Sequence, residues 1–148
     1  MSVNPEVRDY MGMKVVTADA SDSVFDVAAK LIESKVGCVV IMENDDIAGV
    51  VTKGDIIKNT ILVAKDPKKL RASSIMTTPV VTVSPDNSLE EAAKKMSERR
   101  ISKLPVIDDE SGLLVGIITS TDIIRVEPNY VGHLKGLIAS SLDHPFSD

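Results

Sequence analysis

Gly49-Val50-Val51-Thr52-Lys53-Gly54-Asp55-Ile56 and Gly116-Ile117-Ile118-Thr119-Ser120-Thr121-Asp122-Ile123 are two copies of one step, 67 residues apart. Each begins with glycine and β-branched residues and passes through threonine to an aspartate three places on. The β-branched run reads as a strand, and a second helix is expected to begin at about the aspartate. Outward from this step the chain repeats itself. At an offset of 65, Met11, Val15, Val16, Thr17, Ser23, Ala28, Lys30 and Glu33 meet Met76, Val80, Val81, Thr82, Ser88, Ala93, Lys95 and Glu98. An insertion around Ser111-Gly112 accounts for the change of offset. Polar residues recur in the same order within the same apolar frame, which points to duplication.

Each copy reads as β-α-β-β-α. Lys14 to Thr17 and Pro79 to Val83 are short β-branched runs, expected to be leading strands. Val24, Val27, Ala28, Leu31 and Ile32 then recur at helical spacing, as do Leu89, Ala92, Ala93 and Met96. Ser88 with Glu91 has the spacing of a capping box, and Ser23 with Asp26 a weaker form of it. Strands follow at Val36 to Met42 and Ile47 to Thr52, turned by Glu43-Asn44-Asp45-Asp46. The second copy repeats them at Ile101 to Ile107 and Leu113 to Thr119.

The expected domains are residues 8–62, a linker at 63–72 containing the polar run Lys65-Asp66-Pro67-Lys68-Lys69, residues 73–127, and a tail at 128–148. The tail carries a short helical candidate around Val131 to Leu142 and no functional reading. Repeats of about 55–60 residues bury too little surface to be stable alone. The fold class is therefore α+β, with two repeats expected to pack sheet to sheet in pseudo-two-fold symmetry.

Composition narrows the function. The chain has 148 residues, 43% of them hydrophobic, and a mean hydropathy of +0.09. That composition excludes a disordered chain, and no apolar run approaches the roughly 20 residues of a membrane span. A net charge of −5 argues against non-specific nucleic-acid binding, and 3% aromatic residues against a stacking platform for single strands. One cysteine makes neither an internal disulfide nor a thiolate zinc site, and no secretion signal is visible at Met1 to Glu6. A cytoplasmic protein without a membrane partner is expected.

Met76-Thr77-Thr78-Pro79-Val80-Val81-Thr82-Val83, Leu104-Pro105-Val106-Ile107-Asp108 and the step from Gly116 to Ile123 together resemble the CBS domain family. Gly37-Cys38-Val39-Val40-Ile41 and the step from Gly49 to Ile56 are a looser first copy. The resemblance spans roughly residues 8–126 in the tandem arrangement called a Bateman module. It implies a stand-alone regulatory module that binds AMP, ADP, ATP, S-adenosylmethionine or a NAD-type molecule in the cleft between its repeats. It also implies a homodimer and an effector protein still to be identified. No catalytic cofactor is implied.

By that resemblance Asp55 and Asp122 hold ribose, and Thr52 and Thr119 hold phosphate. A carboxylate offers two acceptor oxygens to the two donors of a ribose diol. Helix N-terminal amides beside the threonine would also suit a phosphate oxygen. The alternative is that each pair merely caps its helix. Arg99 and Arg100 resemble the family's basic phosphate-contacting segment, and otherwise form a solvated helix end that complements the helix dipole. The first copy has Ser34 and Lys35 there, and Lys53 is the candidate to compensate by its position inside the step. Adenine contacts, mainly from backbone, are expected from Thr77, Thr78, Pro79 and Val80 with Ser102 and Lys103 at the Asp55 site. At the Asp122 site they are expected from Gly12, Met13, Lys14 and Val15 with Gly37 and Cys38.

Cys38 otherwise reads as a small core residue, and His133 and His144 stand isolated, so no metal site is expected. No nucleophile elbow or phosphate-binding glycine loop is present, and no enzyme is expected. The competing reading is an interaction module that dimerises and binds a partner protein without a nucleotide. Val24, Leu31, Leu89 and Met96 are expected to leave apolar surface for a second chain.

Overall fold

The two periodic stripes fold into helices of equal length, each started by its serine. A computed structural model describes residues 4–126. In chain order the elements are α1 (Val7–Tyr10), β1 (Thr17–Asp19), α2 (Val24–Ser34), β2 (Cys38–Glu43), β3 (Asp46–Thr52), α3 (Lys53–Asn59), α4 (Leu89–Arg99), β4 (Lys103–Ile107), β5 (Leu114–Thr119) and α5 (Ser120–Val126). The Ser23 hydroxyl accepts from the Asp26 amide, and the Ser88 hydroxyl from the Glu91 amide, each at 3.0 Å. Both helices end on a left-handed residue, Lys35 and Arg100, whose amide turns back to the last turn. The tail helix expected at Val131 to Leu142 lies outside the described residues, as do His133 and His144.

The chain forms two compact units. One is Val16–Val80; the other joins residues 4–15 to residues 81–126. These units are offset from the sequence repeats, because the segment leading each repeat pairs elsewhere. Gly12 exchanges both backbone hydrogen bonds with Ile117 of β5, at 2.8 and 2.9 Å. Thr77 exchanges both with Val50 of β3, at 2.9 and 3.2 Å. Residues 8–15 therefore lie with the second Thr-x-x-Asp step, and residues 63–80 remain with the first.

Val16–Val80 holds a three-stranded sheet in the order β1-β2-β3, with β1 parallel and β3 antiparallel to β2. Val24, Val27 and Leu31 of α2 are buried against Val39, Ile41 and Val51 of the sheet. The other unit holds the antiparallel pair β4-β5, over which Leu89, Ala92, Ala93 and Met96 close a core with Leu104, Val106 and Ile118. In this unit α1 is tied down by the Val7 amide on the Asn87 carbonyl, and Arg8 pairs with Asp86. Lys30 and Lys95 play equal parts in the two units: each ammonium donates to a leading-segment carbonyl, Thr17 at 2.6 Å and Thr82 at 2.8 Å.

Two expectations are corrected here. The leading strands are shorter and later than Lys14 to Thr17 and Pro79 to Val83. The first is Thr17–Asp19, and the second shrinks to a single parallel bridge between Val83 and Val106. In the first unit the Ala20 amide extends the ladder by donating to the Met42 carbonyl at 2.9 Å. Pro85 stands in Ala20's place in the second copy and has no N–H to give. The second correction concerns Val24, Leu31, Leu89 and Met96. They are at most 2% exposed, within the cores of their own units, and offer no surface to another chain.

Candidate functional site

Each Thr-x-x-Asp step lies where a strand gives way directly to a helix. Thr52 ends β3 and Asp55 stands in the first turn of α3; Thr119 ends β5 and Asp122 stands in the first turn of α5. In the first, the Asp55 amide donates to Thr52 Oγ1 at 3.3 Å, and the Thr52 amide donates to Asp55 Oδ2 at 3.0 Å. In the second, the Asp122 amide donates to Thr119 Oγ1 at 3.1 Å and the Thr119 amide to Asp122 Oδ2 at 3.0 Å. This reciprocal pairing satisfies two helix-end amides at once. Helix capping is thus observed at both copies.

Capping does not exhaust the carboxylates. An ionised carboxylate has about four lone-pair positions. The cap takes one of them, on Oδ2, and both aspartates are half-buried rather than enclosed. At Asp122 the cap bond on Oδ2 leaves Oδ1 outside the capping pair. Asp55 accepts one more, because Thr77 Oγ1 lies 3.5 Å from Oδ1 and 3.4 Å from Oδ2. Both aspartates keep acceptor capacity for a ligand with two donors.

A glycine beneath each leading segment allows the close approach. A Cβ added to Gly49 would stand 2.6 Å from both Cγ and Sδ of Met76. One added to Gly116 would stand 2.7 Å from Met11 Sδ and 2.8 Å from the Gly12 carbonyl oxygen. The methionine therefore lies across the bare strand and seats the next residue, Thr77 or Gly12, two residues before the threonine of the step. Thr77, Thr78 and Pro79 are exposed, with Val80 half-buried; Gly12, Met13 and Lys14 are exposed, with Val15 half-buried. Each of these segments shares a compact unit with the aspartate the sequence assigned it to.

The remaining residues fall as follows. Cys38 is buried and pairs across the ladder with Thr52; Gly37, half-buried, precedes it. Lys103 pairs with Thr119, and the Ser102 carbonyl accepts the Ser120 amide at 2.8 Å. Ladder register thus sets each of these next to the step of its own repeat. Lys53 opens α3, half-buried, between Thr52 and Asp55. Arg99 ends α4 and Arg100 caps it; both are exposed, and neither is hydrogen-bonded to Asp122. The contact between Thr77 and Asp55 is the feature that spacing alone missed. The difference between Thr77 and Gly12 at matched positions was its visible signal.

The sequence profile described as CBS domain matches residues 7–61 and again residues 72–129. The chain belongs to the CBS domain family. It is a tandem CBS protein of α+β class. Among similar proteins is an uncharacterized protein of Methanopyrus kandleri, 36% identical over 122 residues, a match covering 82% of this chain and 62% of that one. Homoserine O-acetyltransferase of Methanococcoides burtonii is 40% identical over 122 residues, covering 81% of this chain but 24% of the enzyme. Among solved structures, the CBS domain pair of protein MJ0100 is similar at 31% identity with a TM-score of 0.74, covering 86% of this chain and 98% of that one. That domain pair was crystallised with 5′-methylthioadenosine and S-adenosyl-L-methionine. The CBS chain thus spans less than two thirds of the curated relatives named here. No described helix is long and apolar enough to cross a membrane.

Proposed function

We propose that this CBS protein is a regulatory module that binds adenosine-containing metabolites, with Asp55 and Asp122 holding ribose. The observation that carries the reading is the state of the two carboxylates. Each is fixed in direction by its cap on one oxygen, half-exposed, and still able to accept from a diol. Support also comes from the CBS pair of MJ0100, whose bound molecules share the adenosyl group. AMP, ADP, ATP and S-adenosylmethionine share it too, and the ends by which they differ are left to other residues. Arg99, Arg100 and Lys53 are the cations proposed to meet phosphate. The exposed backbone at 77–80 and 12–15 is proposed to meet adenine. The role is regulatory rather than catalytic, exercised in the cytoplasm on an effector protein.

Calorimetric titration of adenosine, AMP, ATP and S-adenosylmethionine into the parent, D55A, D122A and the double variant tests this. Hydrogen bonds to a charged carboxylate contribute about 1.5–3 kcal/mol, so loss at an occupied site weakens binding roughly 10- to 100-fold. Loss of a cap alone costs about 1 kcal/mol of stability and leaves affinity nearly unchanged. A double variant that binds all four ligands as the parent does refutes the reading.

A further inference from the structure

The two ribose-binding steps proposed above are not equivalent, and the difference rests on one side chain. In the unit Val16–Val80, Thr77 Oγ1 stands 3.4 and 3.5 Å from the two oxygens of Asp55. In the other unit the matched position, hydrogen-bonded to β5 as Thr77 is to β3, is Gly12, which has no side chain. Backbone placement is the same and chemistry is not.

Strong O–H···O hydrogen bonds run at about 2.7–2.8 Å, so the Thr77 contact is a weak one. A third oxygen standing beside the pair can lie about 2.8 Å from both Thr77 Oγ1 and an Asp55 oxygen. Such an oxygen on a ligand would need to donate to the carboxylate and accept from the threonine hydroxyl. A hydroxyl does both; an ether oxygen, a hydrogen or a methyl does not. Thr77 is exposed and its backbone is held on both sides of the peptide by Val50, so its hydroxyl is presented from a fixed point. At the other step Asp122 serves only the donor half of the same hydroxyl.

We infer that Thr77 is a specificity-determining residue: with Asp55 it reads one ribose hydroxyl as donor and acceptor together, making the Asp55 site the more selective for ribosides. This rests on the adenosyl-binding reading. The first atom of a grafted side chain fits at Gly12. A Cβ at Gly12 would meet only the Ile117 carbonyl oxygen at 3.7 Å and Ile117 Cγ2 at 4.0 Å, ordinary contacts.

The test titrates adenosine, 2′-deoxyadenosine and 3′-deoxyadenosine, reading the Asp55 site in a D122A background and the Asp122 site in a D55A background. In D122A, Thr77→Val should weaken adenosine by roughly two- to tenfold, the worth of one neutral hydrogen bond, and narrow the preference for adenosine over one deoxy analogue. Thr77→Ser should keep both properties. In D55A, Gly12→Thr should strengthen adenosine and widen the same preference. Melting curves check that T77V and G12T remain folded. A T77V protein with unchanged affinity and preference overturns the inference while the adenosyl reading stands. So does a G12T protein that leaves the Asp122 site unaltered, or a D122A protein that binds no adenosine. Unchanged binding after loss of both aspartates would instead remove the reading on which the inference rests.

Discussion

Replacing Gly116 by alanine should cost more stability than its single carbon suggests. The new Cβ would stand 2.7 Å from Met11 Sδ, 3.1 Å from Met11 Cγ and 2.8 Å from the Gly12 carbonyl oxygen. Carbon contacts become comfortable near 3.5–4.0 Å, so several tenths of an ångström must be found on two sides. Met11 can swing its thioether away. The Gly12 carbonyl cannot move independently, because it accepts the Ile117 amide at 2.9 Å. Overpacking of this kind costs about 1–3 kcal/mol, and the backbone contact puts G116A toward the upper end. At about 2–4 °C per kcal/mol for a chain of this size, 2–3 kcal/mol lowers the melting temperature by roughly 4–12 °C. Differential scanning calorimetry on G116A, with M11A and the double variant, measures both the loss and its source. Met11→Ala relieves the thioether clash and leaves the carbonyl clash, so the double variant should recover part of the loss and not all of it. A G116A protein melting within about 1 °C of the parent would refute the close approach at Gly116.

Three further outcomes are expected. If Arg99 and Arg100 meet phosphate, R99A/R100A should weaken ATP more than adenosine, and added salt should weaken ATP in the parent; equal effects on both ligands argue otherwise. Phe25, Ile32, Ile61 and Leu62 are exposed, the last three at 69%, 75% and 71%, so a homodimer through this unit should dissociate on I32D/L62D in light scattering. Asp19 is held below the ordinary aspartate range first by the Ser21 hydroxyl and then by its amide, and Asp108 by the Ser111 amide and then its hydroxyl. A folded-state value below the unfolded one gives stability above the ordinary aspartate range that fades as pH falls through the lowered value. S21A/S111A should flatten the acid limb of melting temperature against pH, and an unaltered limb would count against these bonds.

Elements with a long local signal were legible in advance. The stripe from Val24 to Ile32 and that from Leu89 to Met96 each span most of a helix, and their serines mark the starts. β-Branched runs located four strands to within two residues, since the central strands are buried and apolar. The leading strands were misplaced because their partners are distant. Nothing in Lys14-Val15-Val16 tells that the peptide at Gly12 pairs with Ile117, or that contact with β2 begins only at the Val16 carbonyl. Pro85 could have warned that the second ladder stops early, but only once its expected acceptor was known. At the candidate site, Thr-x-x-Asp was plain in both copies. The sequence left capping and ligand contact as rivals, and the geometry makes them compatible, since a carboxylate can serve both on different lone pairs.

The exchange of leading segments gives the two units unequal histories during synthesis. Val16–Val80 is continuous, and the pairing that seats Thr77 on Val50 closes a span of 27 residues. The pairing of Gly12 with Ile117 closes a span of 105. The wider closure costs about 1 kcal/mol more in chain entropy, unless the intervening unit has already folded and shortened the path. The segment at Gly12 leaves the ribosome well before its partner strand β5 does. Until β5 is made, Met11 has no glycine to lie across, whereas every strand of Val16–Val80 has already been synthesised.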